Sequence, residues 1–199
     1  MATVCGKLYK GQDLSCGIKL KGYVQELVLI NKDDVGTSTV TVDCGDSTDS
    51  YNVEFELKEG KKGVLFQGPK AGNVIRALVN KTRDDNGLPE YEHGVNMLVG
   101  GVNQEQKCIL TGLDKGLVFA AVKLKYYESN EEAIEIIGFN NGLSSSDYEY
   151  DITENGGIVP IELRSLENSL EADLPYMYKA GSGGDAIADF EALFESEPA

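Results

Sequence analysis

The stretch from Tyr91 to Gly142 leaves a folding chain the fewest choices, because it reads as a strand, a helix and two further strands with almost no slack between them. In Leu117 to Tyr127 the side chains of Val118, Ala120, Val122, Leu124 and Tyr126 fall on one face, and Lys123 and Lys125 on the other. A period of two predicts a strand buried on one side. The helix before it is expected from about Asn103 to Leu113, with Asn103 as N-cap, Val102, Gln106, Ile109, Leu110 and Leu113 along one stripe, and Gly116 as the stop. Ala133 to Phe139 alternates again, and Asn140-Asn141-Gly142 signals a tight turn. The centre of the chain is therefore read as a sheet with one helix packed on it.

More strands flank this centre. Tyr23 to Asn31 reads as a strand, and Thr37 to Cys44 and Tyr51 to Lys58 as consecutive alternating strands around CGDSTDS. Gly63 to Gly68 is a further short strand. Asn73 to Lys81 carries Val74, Ile75 and Leu78 at helical spacing yet is rich in β-branched residues, so helix and strand both stand. Asp147 to Thr153 and Ile158 to Leu163 are expected to form a hairpin across Glu154-Asn155-Gly156-Gly157, with a short helix over Ser165 to Leu174 ended by Pro175. The sum is a mainly β (α+β) domain over residues 23–178, preceded by an extended, Gly-rich arm over residues 1–22. Residues 179–199 form a Gly/Ser linker and a short acidic helix, capped by Asp185, whose Ile187, Phe190 and Phe194 share a stripe. A helix that short orders only by docking, so these three residues are the candidate partner-docking contacts.

Composition narrows the function. A chain of 199 residues with 41% apolar content can bury a core as one domain without disulfide staples. Its cysteines, Cys5, Cys16, Cys44 and Cys108, lie apart without a CxxC pair, and Met1 to Leu8 lacks the apolar run of a signal peptide, so free thiols in a reducing compartment are expected. No segment approaches the roughly 18 apolar residues of a membrane span. The net charge is −15, and the last quarter, from Asp147, sets 13 acidic residues against Arg164 and Lys179 alone. Such a chain is a poor binder of phosphate backbones, which are held by basic side chains that release counterions. The arm reverses the balance, with Lys7, Lys10, Lys19 and Lys21 against Asp13.

Motifs that carry chemistry are sparse. Asp151, Thr153, Asn155, Gly156, Ile158 and Glu162 fall at the spacing of a calcium loop, but the residues before them alternate as a strand and Pro160 stands where a helix would begin, which favours a hairpin turn. Asp43, Asp46 and Asp49 match no known oxygen cage and read as a solvated loop. His93 is the only histidine and has no nucleophile beside it in sequence, so a structural role is expected. Neither Gly68 to Gly72 nor Gly181 to Gly184 completes a phosphate-binding or dinucleotide pattern. No catalytic residue, cofactor or metal site is expected.

With the strand, helix, strand, strand core in place, IIGFNNGL followed by a Tyr-rich strand and GGIVPIELRS resembles the tail-tube and tail-ring proteins of tailed bacteriophages, in versions found in phages of gut Bacteroides-type hosts, including the crAss-like group. The resemblance covers Gly22 to Tyr178. It implies a β-sandwich or barrel with one flanking helix, a virion location, and sheets that join side by side with other copies into a ring whose lumen passes DNA. Adjacent tail or portal-proximal ring proteins would be its further partners. The alternative reading is a monomeric calcium- or ligand-binding β module with Asp151 to Glu162 as its site.

Overall fold

The computed structural model describes residues 22–44, 49–68, 74–101, 103–125, 132–151, 153, 156–180 and 184–194. Among the described residues eleven strands run in the order β1 (Tyr23–Asn31), β2 (Val35–Cys44), β3 (Asp49–Leu57), β4 (Val64–Gln67), β5 (Arg76–Arg83), β6 (Pro89–Gly100), β7 (Val118–Leu124), β8 (Ile134–Ile137), β9 (Ser144–Ser145), β10 (Ile158–Arg164) and β11 (Tyr176–Tyr178). Helix α1 (Gln104–Lys115) separates β6 from β7, and α2 (Ala186–Ala192) follows β11. The strands form a seven-stranded sheet, β2-β3-β11-β8-β7-β1-β4, and a four-stranded sheet, β5-β6-β10-β9. The fold is mainly β, as expected. Of the segment from Asn73 to Lys81, the part from Arg76 resolves to strand, paired along β6 from Arg76 opposite Asn96 to Arg83 opposite Pro89.

Two cores lie on opposite faces of the large sheet. Leu27 and Leu29 of β1 with Ala120 and Val122 of β7 face Val95, Met97 and Val99 of β6, Val159, Ile161 and Leu163 of β10, and Leu110 and Leu113 of α1. Val28, Ile30, Phe119 and Ala121 point the other way, among Val53, Phe55, Phe139, Tyr176, Tyr178 and Phe190. This corrects the one-sided reading of β7: Phe119 and Ala121 are fully buried, and the strand's second face becomes polar only at its end, with Lys123 and Lys125. Strands covered on both faces read as continuous apolar runs, as LVLI of β1 does.

The large sheet is also curled. Asn31 and Val35 are joined by a single 3-10 turn, Lys32–Asp34, and four peptide links span at most about 14 Å. In hydrogen-bond order β1 and β2 stand five strand intervals apart, about 24 Å in a flat sheet. The sheet therefore wraps round the second core, and Lys58 N–H donates to Asp34 O at 2.9 Å to tie the corner to the end of β3. It stays open, since β2 pairs with β3 and with no other strand among the described residues.

Helix α1 starts as expected: the Asn103 side chain accepts from Gln106 N–H at 2.8 Å. Val102 lies outside the described residues. The helix carries the chain from the small sheet to the large one, since β6 belongs to the first and β7 and β8 to the second. Gln106, on the buried stripe, donates from Nε2 to Val99 O and Gly157 O. The expected strand over 147–153 is absent from its described part, 147–151 and 153, because β6 and β9 occupy both sides of β10 and leave it no partner. Tyr148 instead donates to Asp114 of α1 at 3.0 Å. The expected helix over 165–174 is absent too, and Glu171 exchanges both backbone bonds with Tyr91. Cys44 is disulfide-bonded and Cys108 free and exposed, which corrects the expectation of free thiols throughout. Of the arm expected over residues 1–22, residues 1–21 lie outside the described residues.

The carboxyl-terminal helix forms where expected, with Asp185 accepting from Ile187 N–H at 2.9 Å. Its stripe meets the chain's own sheet. Phe190 is 1% exposed inside the second core, and Ile187 and Phe194 pack on the rim of that core. The three residues read from sequence as partner-docking contacts are thus placed in cis, where the curled sheet offers a second apolar face that alternation alone did not reveal. Phe190→Ala should lower the unfolding free energy of the isolated chain by about 3–5 kcal/mol in urea titration, whereas a residue reserved for a partner would leave it unchanged.

Candidate functional site

A β-sheet protein meets its neighbours most readily at unpaired strand borders, which expose rows of N–H and C=O groups. Four borders exist among the described residues: β2 and β4 in the large sheet, β5 and β9 in the small one. The β9 border is covered by α1, with Ser145 Oγ donating to Asp114 at 2.6 Å and Ser144 Oγ to Leu113 O at 3.3 Å. The β4 border holds four residues beside the end of α2, and Gly63 just before it is bridged to Phe194. The β5 border is eight residues long and studded with Arg76, Lys81 and Arg83.

The β2 border differs from all of these. It is ten residues long, carries no charge from Val35 to Val42, and has no proline. Gly36 through Thr41 are exposed. Thr37, Thr39, Val40, Thr41 and Val42 give it strong strand propensity; its pairing with β3 shifts register between Val35 and Thr37, and beyond that irregularity neither charge nor proline guards the border up to Val42. On its outward face, Thr39 sits opposite Glu54 and Thr37 opposite Glu56, both glutamates exposed, so an acidic stripe runs beside an uncharged border.

Between the sheets lies a buried polar clasp around His93, which is 1% exposed on β6. Gly138 N–H donates to Nδ1 at 3.1 Å, so the ring proton sits on Nε2, which donates to Asp173 O at 3.0 Å. Gly138 holds φ +73°, and a Cβ there would lie 2.4 Å from Leu143 Cγ, so glycine is required. Asp173 in turn accepts from Tyr176 Oη at 2.8 Å, and Asn140 Nδ2 donates to the same hydroxyl. Glu171, also 1% exposed, accepts from Asn141 N–H at 2.9 Å. Burial pushes its carboxyl above the usual carboxylate range, against the pull of the Asn141 N–H and the Lys32 charge. Ser165, the other polar neighbour, bonds the His93 backbone and not its ring. With both ring nitrogens held by backbone groups, His93 fastens the small sheet to the turn after β8 and to the 165–175 segment, and presents no nitrogen to a ligand.

The calcium-loop spacing is broken by strand. Ile158 and Glu162 lie on β10, and Glu162 pairs with Arg164 at 2.9 Å, which also holds Glu92 at 2.9 Å. Asp151 accepts from Thr153 N–H at 2.7 Å, and Asn155 lies outside the described residues. Among the described residues no group of three or more His, Cys, Asp and Glu is placed to hold a metal ion; of the three aspartates in the β2–β3 connection, Asp46 lies outside them. Sequence reasoning singled out His93 but missed its partners, because Gly138, Ser165, Asp173 and Tyr176 come from distant positions and carry no shared spacing. The β2 border was legible as a strand, yet nothing local marked it as the outermost one. No family model, no curated protein and no solved structure matches this chain.

The clasp makes stability depend on pH. Burial lowers the His93 pKa from 6.5 to about 4, opposed by the Asp173 carbonyl and charge. Below pH 6.5 the unfolded chain takes up a proton that the folded chain refuses until about pH 4, so stability falls as pH drops across that window. The loss attributable to His93 should be roughly 3 kcal/mol, measured as the difference in pH slope between wild type and His93→Asn in urea unfolding from pH 7.5 to pH 4.

Proposed function

We propose that this chain is a structural subunit of a phage tail, a homo-oligomeric ring around the channel through which DNA leaves the virion. The observation that supports this best is the β2 border, which carries no charge from Val35 to Val42 and has no strand on its outer side among the described residues. A monomeric protein with such a border invites uncontrolled edge pairing, and a closed ring of copies removes it. A closed ring needs two different surfaces that fit each other. β2 of one copy beside β5 of the next meets this need: ten residues face eight, and Glu54 and Glu56 next to β2 approach Arg76, Lys81 and Arg83 on β5. Main-chain bonds supply the affinity, and the charges fix the register and the direction of growth.

The net charge of −15 suits a conduit. A lumen rich in lysine and arginine would grip DNA at many phosphates, whereas an acidic one lets it slide. The basic residues of the arm, Lys7, Lys10, Lys19 and Lys21, give it affinity for acidic surfaces on the rings above or below. No step of bond making or breaking enters this role, and no cofactor is needed. No helix among the described residues is long and apolar enough to cross a membrane. The rival, a monomeric calcium- or ligand-binding module at Asp151–Glu162, has no observation in its favour, since Glu162 is engaged with Arg164 on a strand.

Lysines on a strand border oppose edge pairing. Thr39 and Thr41 are exposed and face away from the second core, so Thr39→Lys with Thr41→Lys should leave the thermal midpoint within a few degrees of wild type. By light scattering the double variant should remain monomeric at concentrations where wild type forms rings. Identical masses for the two proteins would refute the β2 assignment.

A further inference from the structure

The hydrogen bonds beside β5 and β2 show which backbone groups each border leaves free. Tyr91 exchanges both backbone bonds with Glu171, and His93 O accepts from Ser165 N–H at 2.9 Å, so the groups of these β6 residues turn away from β5. Opposite residues of an antiparallel pair turn either toward each other or both apart. Lys81 faces Tyr91 and Val79 faces His93, so the free groups of β5 are those of Ala77, Val79, Lys81 and Arg83. On the other border, Val53 O accepts from Lys179 N–H at 2.8 Å, away from β2, and Val40 faces Val53. The free groups of β2 are therefore those of Ser38, Val40 and Val42. Their side chains lie on the face of the second core, and those of Thr39, Thr41 and Asp43 on the outward face.

Building on the ring reading, we propose that β2 of one copy pairs antiparallel with β5 of the next in a single register, with Val40 opposite Val79. Free groups then meet free groups, Val42 faces Ala77, Thr41 faces Leu78, and Asp43 faces Arg76, so that every residue of β5 has a partner between Gly36 and Asp43. Neither Asp43 nor Arg76 has an ion partner in its own chain among the described residues. Val40 and Val79 are 39% and 37% exposed, and each would cover the other. Val79 also stands at an apolar pocket of about 380 Å³, lined with it by Tyr51, Glu135, Leu174, Pro175 and Met177. A strand added outside β5 brings Val40 to the rim of that pocket. Sliding β2 by two residues one way sets Val40 against Lys81 and Asp43 against Leu78. Sliding it the other way carries Asp43 past the end of β5 and leaves Arg76 beside Thr41. In a parallel pair each bonding residue lies beside one whose groups turn away. Val40 and Val42 would then share a face with Arg76, Leu78, Asn80 and Thr82, where Leu78 alone is apolar.

Cross-linking tests the register. Thr41 and Leu78 would form a non-hydrogen-bonded pair, in which side chains approach most closely and a disulfide fits. In a Cys108→Ser background, Thr41→Cys with Leu78→Cys should give, on oxidation, a ladder of covalent multimers in denaturing gels that reductant collapses. Each single cysteine variant should give none. Thr39→Cys with Leu78→Cys reports the slipped register and Thr41→Cys with Lys81→Cys a parallel one, and neither should link. Light scattering before oxidation separates this proposal from the reading it rests on. Assembled protein that links only through one of the two control pairs, or through none, would overturn the register and leave the ring standing. Protein that is monomeric before oxidation would overturn both.

Discussion

Four peptide links between Asn31 and Val35 set the shape of this protein. They force two strands that stand five intervals apart in the sheet to meet at a corner, so the sheet must wrap. A wrapped sheet has a concave face, and that face must be filled. The filling is aromatic and comes from every part of the chain: Phe55 meets Phe119 edge to face with ring centres 5.2 Å apart, Phe139 meets both, and Phe190 arrives on the last helix. The convex side of the same strands is closed by the small sheet and α1. Hence β1 and β7 carry apolar residues at successive positions, and a short acidic helix finds a docking surface inside its own chain.

Two layers joined only by apolar contact can slide, because the hydrophobic effect has no direction. The clasp around His93 supplies direction. Gly138 N–H, the His93 ring and the Asp173 carbonyl form a line of bonds from the large sheet's β8 turn through β6 to the 165–175 segment. Glu171 and Asn141 make a second tie across the same seam, with Asn141 Nδ2 donating to Leu170 O at 2.6 Å. Burying these groups is costly unless they are paired, so the seam tolerates one arrangement far better than any slipped one. A rigid pair of sheets in turn holds the β2 and β5 borders at a fixed angle, which the proposed ring would require of its subunit.

Much of this was legible in the residues. Alternation located β1, β2, β3, β4, β8 and β10 within a residue or two, and Asn103 and Asp185 marked both helix starts by cap chemistry. The failures share one physical origin, which is that periodicity reports burial of a face and not the identity of what buries it. β7 read as one-sided because Lys123 and Lys125 sit at its end, and nothing in VFAAVKL tells that Phe119 will face a helix some seventy residues away. Tyr148 and Tyr150 alternate like a strand but have no strand to pair with, since pairing is decided by topology. The segment after Ser165 has helix-compatible residues, yet its backbone is claimed by Tyr91 and its side chains by the clasp. Phe190 read as a contact for others because the second core it enters is assembled from residues scattered from Val28 to Leu193.

The borders carry the functional reading, and they differ in kind. β9 is covered by α1, β5 carries Arg76, Lys81 and Arg83, β4 lies against the end of α2, and β2 alone among the described residues combines an uncharged run, Val35 to Val42, with an outer side that no strand pairs. Natural sheets rarely leave such a strand exposed without a use for it. The most direct test is negative-stain electron microscopy of the purified full-length protein across a concentration series. Closed rings of a single diameter with a central hole are the predicted result, and particles of single-chain size at every concentration would contradict the account.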